Sequence, residues 1–203
     1  MKVVKVHQKQ ALPLAAKVLE EGGIVFAPTD TIYGLLADAT KPKAVEKLYS
    51  IRRPSGRPFI LLLPDKYWLE VFDIYAKPIY WDLLDAHITI IFYKRTTIPM
   101  HLTRGKKSLA FRVPKRGTFI RDLLLYLDAP LVAPSANPEG MEPAKDVKMA
   151  MDYFGDNVDL YVDAGRIEGK PSTIVRLIGK NRIRLVREGN VSFKEFLQFA
   201  KRL

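Results

Sequence analysis

The 203-residue sequence contains no cysteine, and this absence excludes several kinds of site. Disulfide bonds, thiolate nucleophiles and zinc sites built on cysteine all need this residue. Histidine occurs only as His7, His87 and His101, which lack the spacing of metal ligands. We therefore expect neither a structural metal site nor thiol catalysis.

Long apolar runs are also missing from the sequence. No run approaches the ~20 residues that a membrane-spanning helix needs. Residues 1–6 are too short and too charged to form a signal peptide. From these features we expect a cytoplasmic protein without a membrane partner.

Acidic residues are outnumbered, with 22 Asp and Glu against 33 Lys and Arg, and the formal net charge is +11. This balance favours anionic partners such as nucleotides, phosphates or RNA. A protein that is basic only for solubility is the alternative.

The common nucleotide and hydrolase motifs are absent as well. The sequence has no Gly-x-x-x-x-Gly-Lys loop, no Gly-x-Gly-x-x-Gly fingerprint and no Gly-x-Ser-x-Gly elbow. Any phosphate-binding site must therefore be built from other residues.

Short apolar runs that alternate with segments of helical periodicity predict a mixed α/β fold. The first helix is expected over residues 8–21 and the first strand over residues 24–27, after which the chain turns at Gly34. Further strands are expected at 59–63, 87–93, 108–113, 130–133, 160–162, 173–177 and 182–186. Further helices are expected at 43–50, 65–75, 79–84, 118–127, 146–154 and 192–203. Without repeats or linkers, we predict one domain over residues 1–203.

Hydroxyl and guanidinium groups recur in loops that border the predicted strands. These groups lie at 29–34, 52–57, 135–137 and 172–173, together with Arg112 and Arg187. Such a set suits phosphates and a carboxylate. For each loop alone, a capped turn or a solvated arginine is the alternative. Asp30, Asp38 and Asp163 can hold magnesium or cap turns.

Six motifs in order resemble the YrdC-type threonylcarbamoyl-AMP synthase family. They are Pro-Thr-Asp-Thr-Ile-Tyr-Gly-Leu at 28–35, Ile-Arg-Arg-Pro at 51–54, Arg-Val-Pro at 112–114, Pro-Ser-Ala-Asn at 134–137, Ser-Thr-Ile-Val at 172–175 and Arg-Glu-Gly at 187–189. The resemblance covers about residues 8–193. We therefore expect the short form of the family, without an extra C-terminal domain.

The resemblance implies a twisted mixed sheet flanked by helices, with a positively charged concave face. It implies an enzyme, a nucleotidyltransferase, that makes threonylcarbamoyl-adenylate and pyrophosphate from L-threonine, bicarbonate or CO2, and ATP. Mg²⁺ would accompany ATP. A tRNA-modifying transferase would use the adenylate, and the basic surface is expected to contact tRNA or double-stranded RNA.

The resemblance also implies roles for individual residues. The residues expected to bind L-threonine are Thr29, Thr31, Arg112, Ser135 and Ser172. The residues expected to bind ATP are Arg52, Arg53, Ser108, Ala133, Asn137 and Arg187, with Arg52 and Arg53 also catalytic.

Two segments depart from the family pattern. The usual Lys-x-Arg-Pro is one residue shorter here, so Arg52 either replaces the family lysine or that cation is lost. The family often has an aromatic-Pro-Gly segment before the threonine of the middle strand. Here that segment is absent, and the sequence reads Leu-Asp-Ala-His-Ile-Thr at 84–89.

A non-catalytic RNA-binding module of the same fold is the competing hypothesis. It is motivated by the net charge and by the basic segments 94–95 and 104–107. The retained Ser-Ala-Asn motif favours the synthase over a paralogous branch of the family that tends to lose it.

Overall fold

Ten β-strands of the described chain form one mixed sheet. The computed structural model describes residues 2–52, 56–95, 98–179 and 182–203. The strands are β1 (Val3–Lys5), β2 (Val25–Pro28), β3 (Tyr33–Asp38), β4 (Ile60–Leu62), β5 (Thr89–Tyr93), β6 (Ser108–Arg112), β7 (Leu131–Val132), β8 (Leu160–Asp163), β9 (Ile174–Ile178) and β10 (Arg182–Arg187). Their order across the sheet is β1-β8-β2-β3-β7-β4-β6-β5-β9-β10.

Parallel and antiparallel pairs are both present in this sheet. β8 pairs in parallel with β1 and β2, β4 with β6, and β5 with β9. The pairs β2–β3, β3–β7, β4–β7, β5–β6 and β9–β10 are antiparallel. The predicted α/β class with a mixed sheet is therefore confirmed.

Helices cover the sheet from both faces. They are α1 (Ala11–Glu20), α2 (Pro42–Arg52), α3 (Met100–Thr103), α4 (Phe119–Leu127), α5 (Val147–Phe154) and α6 (Phe193–Ala200). Leu19 of α1 and Leu123 of α4 join one apolar core. Leu48 of α2, Ala150 of α5 and Phe196 of α6 join a second core on the other face. Among the described residues, no helix is both long and apolar enough to cross a membrane.

One half of the sheet has a face that no apolar core covers. In β5, β6 and β9, the residues Ile90, Phe111 and Val175 are buried in the core that contains α6. Their neighbours on the opposite face, such as Ile91 and Arg176, are only half-buried. This alternation is typical of a sheet with one packed face and one open face.

Strand β3 was not expected from the sequence, because Gly34 was interpreted as a turn. In the structure the chain turns at residues 29–32, and β3 returns beside β2 with Gly34 opposite Ala27. A Cβ atom on Gly34 would lie 3.2 Å from Cγ2 of Thr29, so the small residue permits a close packing. The glycine therefore serves the strand and not the turn.

The predicted helix over residues 65–75 is also wrong. A 3-10 helix covers Lys66–Leu69 and a second covers Pro78–Ala86. Asp65 caps the first by accepting a hydrogen bond of 2.8 Å from the backbone N–H of Tyr67.

Candidate active site

A cavity of about 770 Å³ lies on the open half of the sheet. Eight of the eleven residues predicted to bind substrates line this cavity. They are Thr29, Thr31, Ser108, Arg112, Ala133, Ser135, Ser172 and Arg187. Arg52 and Asn137 are not among the lining residues, and Arg53 lies outside the described residues.

The strand register fixes the floor of the cavity. Leu62 of β4 pairs with Arg112 of β6, and Ile174 of β9 pairs with Arg187 of β10. The β5–β6 and β5–β9 registers place Arg112 and Ile174 on one transverse row. Strands in a sheet lie about 4.8 Å apart, so the backbones of Arg112 and Arg187 are about 14 Å apart.

Arg112 forms a buried ion pair with Asp30 at one end of this floor. Nη2 of Arg112 donates to Oδ2 of Asp30 at 2.7 Å, and Nε donates to Oδ1 at 3.2 Å. The two side chains are only 3% and 1% exposed. A third N–H of the guanidinium donates to the carbonyl of His87. A guanidinium has five N–H donors, so two remain for a ligand.

Asp30 also accepts a hydrogen bond of 3.0 Å from the backbone N–H of Lys115. From the sequence, Asp30 was considered as a magnesium ligand or as the cap of a turn. Neither role describes it, because its carboxylate forms an ion pair with the buried Arg112. Asp38, in contrast, caps a turn by accepting from the N–H of Thr40 at 2.8 Å. Asp163 accepts from the N–H of Gly165 at 2.8 Å in the same manner.

The Thr29–Thr31 loop is a compact turn at the same end of the cavity. The hydroxyl of Thr29 donates to the carbonyl of Ile32 at 2.6 Å and accepts from the N–H of Thr31 at 3.2 Å. The capped-turn alternative therefore describes Thr29. The Thr31 hydroxyl lies 3.2 Å from that of Thr29, and both residues line the cavity.

A strap, residues 164–173, crosses above this loop. It connects β8, next to one edge of the sheet, with β9, next to the other edge. The Tyr33 hydroxyl holds the start of the strap by donating to the carbonyl of Gly165 at 2.7 Å and accepting from the N–H of Ala164 at 2.9 Å. Burial raises the pKa of Tyr33, which keeps this hydroxyl protonated as a donor.

The strap passes very close to the threonine loop at Gly169. A Cβ atom built on Gly169 would lie 2.1 Å from the carbonyl oxygen of Thr31. Only glycine therefore allows the observed approach. Further along the strap, the hydroxyl of the buried Ser172 lies 2.8 Å from that of Thr89 and lines the cavity.

Gly169→Ala should weaken L-threonine binding by about tenfold, because the added methyl group must push the strap or the Thr31 loop out of place. Titration calorimetry with L-threonine measures this effect. Lys170→Ala, at the neighbouring exposed strap position, is the matched control. Unchanged affinity in the glycine variant would show that the loop is not part of the threonine site.

Arg52 lies at the C-terminal end of α2, beside the loop that carries Ser135. It is buried, and its Nε donates to the carbonyl of Ser135 at 2.8 Å. Its Nη2 donates to the hydroxyl of Ser135 at 3.1 Å and to Oδ1 of Asn137 at 3.2 Å. Arg52 and Asn137 thus shape the loop that carries Ser135 into the cavity, and neither side chain lines the cavity itself.

In the part of the chain that the structure describes, six basic side chains and a single carboxylate, that of Asp30, line the cavity. These side chains are Arg57, Lys106, Lys107, Arg112, Arg176 and Arg187. Within the described residues, Arg112 is the only one of the six with an ion-pair partner. Arg57 belongs to the loop 52–57 that the sequence analysis singled out, whereas Lys106, Lys107 and Arg176 were not assigned to the site, because only the fold shows that they face the same cavity.

Arg187 lies at the far end of the row that begins with Arg112. Its Nη2 donates to the carbonyl of Ser172 at 2.8 Å, so the cation is held against the end of the strap. Desolvation by its surroundings lowers the pKa of Arg187 below the ordinary arginine value. Arginine nevertheless stays protonated at neutral pH, so the cavity keeps this positive charge.

A protein-held Mg²⁺ site does not fit the residues present. No group of three His, Asp or Glu side chains that could hold a metal exists among the described residues. Among the described residues that line the cavity, Asp30 has the only carboxylate, and Arg112 engages it. Mg²⁺ often binds mainly to substrate phosphates, and no step of the chemistry proposed below depends on a protein-bound ion.

Comparisons with known proteins agree with this architecture. The Sua5/YciO/YrdC family model, described as "Telomere recombination", matches residues 17–189. A Methanocaldococcus jannaschii protein, provisionally named a threonylcarbamoyl-AMP synthase, is 32% identical over 96% of both chains.

Two solved structures have the same fold. Pyrococcus abyssi Sua5 complexed with L-threonine superimposes with a TM-score of 0.85 and 26% identity, covering 98% of this chain and 60% of that one. Escherichia coli YciO gives a TM-score of 0.79 and 26% identity, covering 96% of this chain and 97% of that one. From the family model, the shared fold and the motifs gathered at the cavity, we conclude that the chain belongs to the Sua5/YciO/YrdC family.

Proposed function

We propose that the protein is a threonylcarbamoyl-AMP synthase, which forms threonylcarbamoyl-adenylate and pyrophosphate from L-threonine, bicarbonate or CO2, and ATP. One observation carries the proposal: groups suited to an amino acid and cations without carboxylate partners line the same cavity. The name of the M. jannaschii relative and the L-threonine complex of Sua5 support it. A tRNA-modifying transferase would then use the adenylate.

The end of the cavity around Arg112 suits the amino acid. The two remaining N–H groups of Arg112 can bind the threonine carboxylate as a bidentate pair. The hydroxyls of Thr31, Ser135 and Ser172 line the same cavity and can orient the polar groups of the substrate. Asp30 holds the guanidinium from behind, so its orientation is set before the ligand arrives.

The chemistry needs positioning and positive charge, not a nucleophilic side chain. The threonine amine bonds to the carbon of CO2 and loses a proton, which gives a carbamate. A carbamate oxygen then attacks the α-phosphorus of ATP, and the bond from that phosphorus to the bridging β-oxygen breaks. Negative charge grows on the phosphoryl oxygens and on the departing pyrophosphate, where cations such as Arg187 stabilise it.

Pyrophosphate release tests this proposal directly. We expect the purified protein to release pyrophosphate from ATP only when L-threonine and bicarbonate are both present. Equal turnover with L-serine would contradict the threonine assignment. Release without any amino acid would contradict the synthase reaction.

Ser135→Ala should raise the KM for L-threonine by about tenfold while changing the KM for ATP much less. The hydroxyl of Ser135 donates to Oδ1 of Asn137 at 2.7 Å and keeps an acceptor lone pair for the ligand, so its loss removes a hydrogen bond of about 1–2 kcal/mol. Steady-state kinetics with each substrate varied in turn measures the split. A larger effect on ATP would reverse the assignment of the two ends of the cavity.

A second candidate function is RNA binding by the same fold. The Arg95 guanidinium lies 5.0 Å from the ring centre of Tyr75, which is 62% exposed. Exposed cation–aromatic pairs of this kind occur on surfaces that stack bases. This function would give RNA affinity that falls steeply with salt, without ATP turnover.

A further inference from the structure

The motif at 51–54 is the expected source of cations for the phosphates, but the side chain of Arg52 is buried and Arg53 lies outside the described residues. The guanidinium of Arg52 donates to Ser135 and Asn137, and the side chain does not line the cavity. Other cations that line the cavity can face the outer phosphates of a bound nucleotide. The candidates are the basic side chains that line the cavity far from Asp30.

The length of strand β6 helps to locate these phosphates. Arg112, at the end of β6, marks the carboxylate end of the site, and Ser108 begins the same strand. Four residues of a strand span about 13 Å. The covalent path from the threonine carboxylate through the carbamate to the α-phosphorus is shorter than this span. Ser108 is one of the residues expected to bind ATP, so an ATP that lies between Arg112 and Ser108 would extend its β- and γ-phosphates toward the Ser108 end.

Lys106 and Lys107 directly precede Ser108, and both line the cavity. Their backbone is fixed: the N–H of Lys106 donates to the carbonyl of Thr103 at 2.9 Å, and the carbonyl of Lys107 accepts from the N–H of Lys94 at 3.1 Å. Within the described chain, no carboxylate forms an ion pair with either lysine. The two ammonium groups are therefore available to a polyanion.

The chemistry of the leaving group matches a pair of lysines. A departing pyrophosphate carries several negative charges that spread over many oxygens. An ammonium binds such charge as a mobile point charge, without the fixed bidentate geometry of a guanidinium. Exposed lysines can also follow the product as it leaves, whereas the buried Arg52 cannot.

We propose that Lys106 and Lys107 bind the β- and γ-phosphates of ATP and the pyrophosphate that leaves. This role deepens the proposed synthase function and rests on it for the orientation of ATP. It assigns to the turn before β6 cations in addition to those expected from the motif at 51–54.

The test compares ligands that carry different phosphates. Titration calorimetry measures the binding of inorganic pyrophosphate, ATP, AMP and L-threonine to the full chain with Lys106→Ala and Lys107→Ala combined. We expect affinity for pyrophosphate and ATP to fall by about tenfold or more, because each lost contact involves charged groups. Affinity for AMP and L-threonine should stay within about twofold.

Lys194→Ala combined with Lys201→Ala is the matched control, since it removes two exposed lysines on and after α6. It should leave all four affinities unchanged. Unchanged pyrophosphate binding in the Lys106/Lys107 variant would overturn the proposal, as would an equal loss for AMP. Loss of RNA affinity with pyrophosphate affinity retained would overturn it in favour of an RNA surface.

The binding test is separate from turnover, so its failure can be distinguished from failure of the synthase proposal. If the unsubstituted protein binds no pyrophosphate, the role of the lysines is overturned even if the enzyme is active. If pyrophosphate binding depends on the lysines but its release from ATP needs no threonine, the lysine assignment stands and the synthase reaction falls.

Discussion

Replacing Asp30 by asparagine should lower the free energy of unfolding by about 3–5 kcal/mol, because it leaves the buried Arg112 without a compensating charge. The same change should abolish measurable L-threonine binding. Asparagine has one acceptor oxygen where aspartate has two, so it no longer holds both Nε and Nη2 of Arg112 in place. Urea unfolding and calorimetric titration with L-threonine measure the two effects. Asp152→Asn, at an exposed position of α5, is the matched control and should change neither quantity.

A double variant separates the structural role of this pair from its binding role. Adding Arg112→Met to Asp30→Asn removes both charges and should restore much of the lost stability, because an apolar replacement of a buried ion pair is often tolerated. Threonine binding should not return. A stability loss below about 1 kcal/mol in Asp30→Asn would show that the pair is not as buried as the structure has it.

Arg187→Ala should lower turnover by about 10³-fold while leaving thermal stability nearly unchanged. The guanidinium lines the cavity and has no ion-pair partner in the described chain, so its charge is available to the phosphoryl oxygens. A cation placed at developing phosphoryl charge accounts for rate effects of this size. The Arg187 guanidinium donates a hydrogen bond to the carbonyl of Ser172, and losing this bond should cost only about 1 kcal/mol of stability.

Pyrophosphate release under saturating substrates and thermal melting of the same samples measure both effects. Arg202→Ala, near the C-terminus and outside the cavity, is the control for removing one exposed arginine. A large fall in melting temperature with turnover retained would mean that Arg187 is structural.

The fold could be predicted largely because the apolar runs are short, buried and separated by helical periodicity. The failures came from residues whose role depends on the tertiary structure. Gly34 resembles a turn residue, but it lies inside β3 because a Cβ atom would press on Thr29. The segment at 65–75 has helical spacing, yet only Lys66–Leu69 within it forms a 3-10 helix.

Site residues could be predicted from the sequence where they lie at the end of a strand. They could not be predicted where contacts with residues distant in the sequence decide which way the side chain points. Arg112 was expected to need a partner, because a charge between apolar residues is costly to bury. The sequence could not identify Asp30 as that partner, since the two are 82 positions apart. The expected role of Arg52 at the phosphates stays a prediction, and the sequence could not show that its position at the end of α2 brings it against the Ser135 loop.

A crystal structure of the protein with L-threonine and a non-hydrolysable ATP analogue tests the central claim most directly. The account predicts both ligands in the one cavity, with the threonine carboxylate on the free N–H groups of Arg112 and the α-phosphorus between the amino acid and Lys107. Density for the two ligands at separate surfaces, or a carboxylate bound away from Arg112, would contradict it.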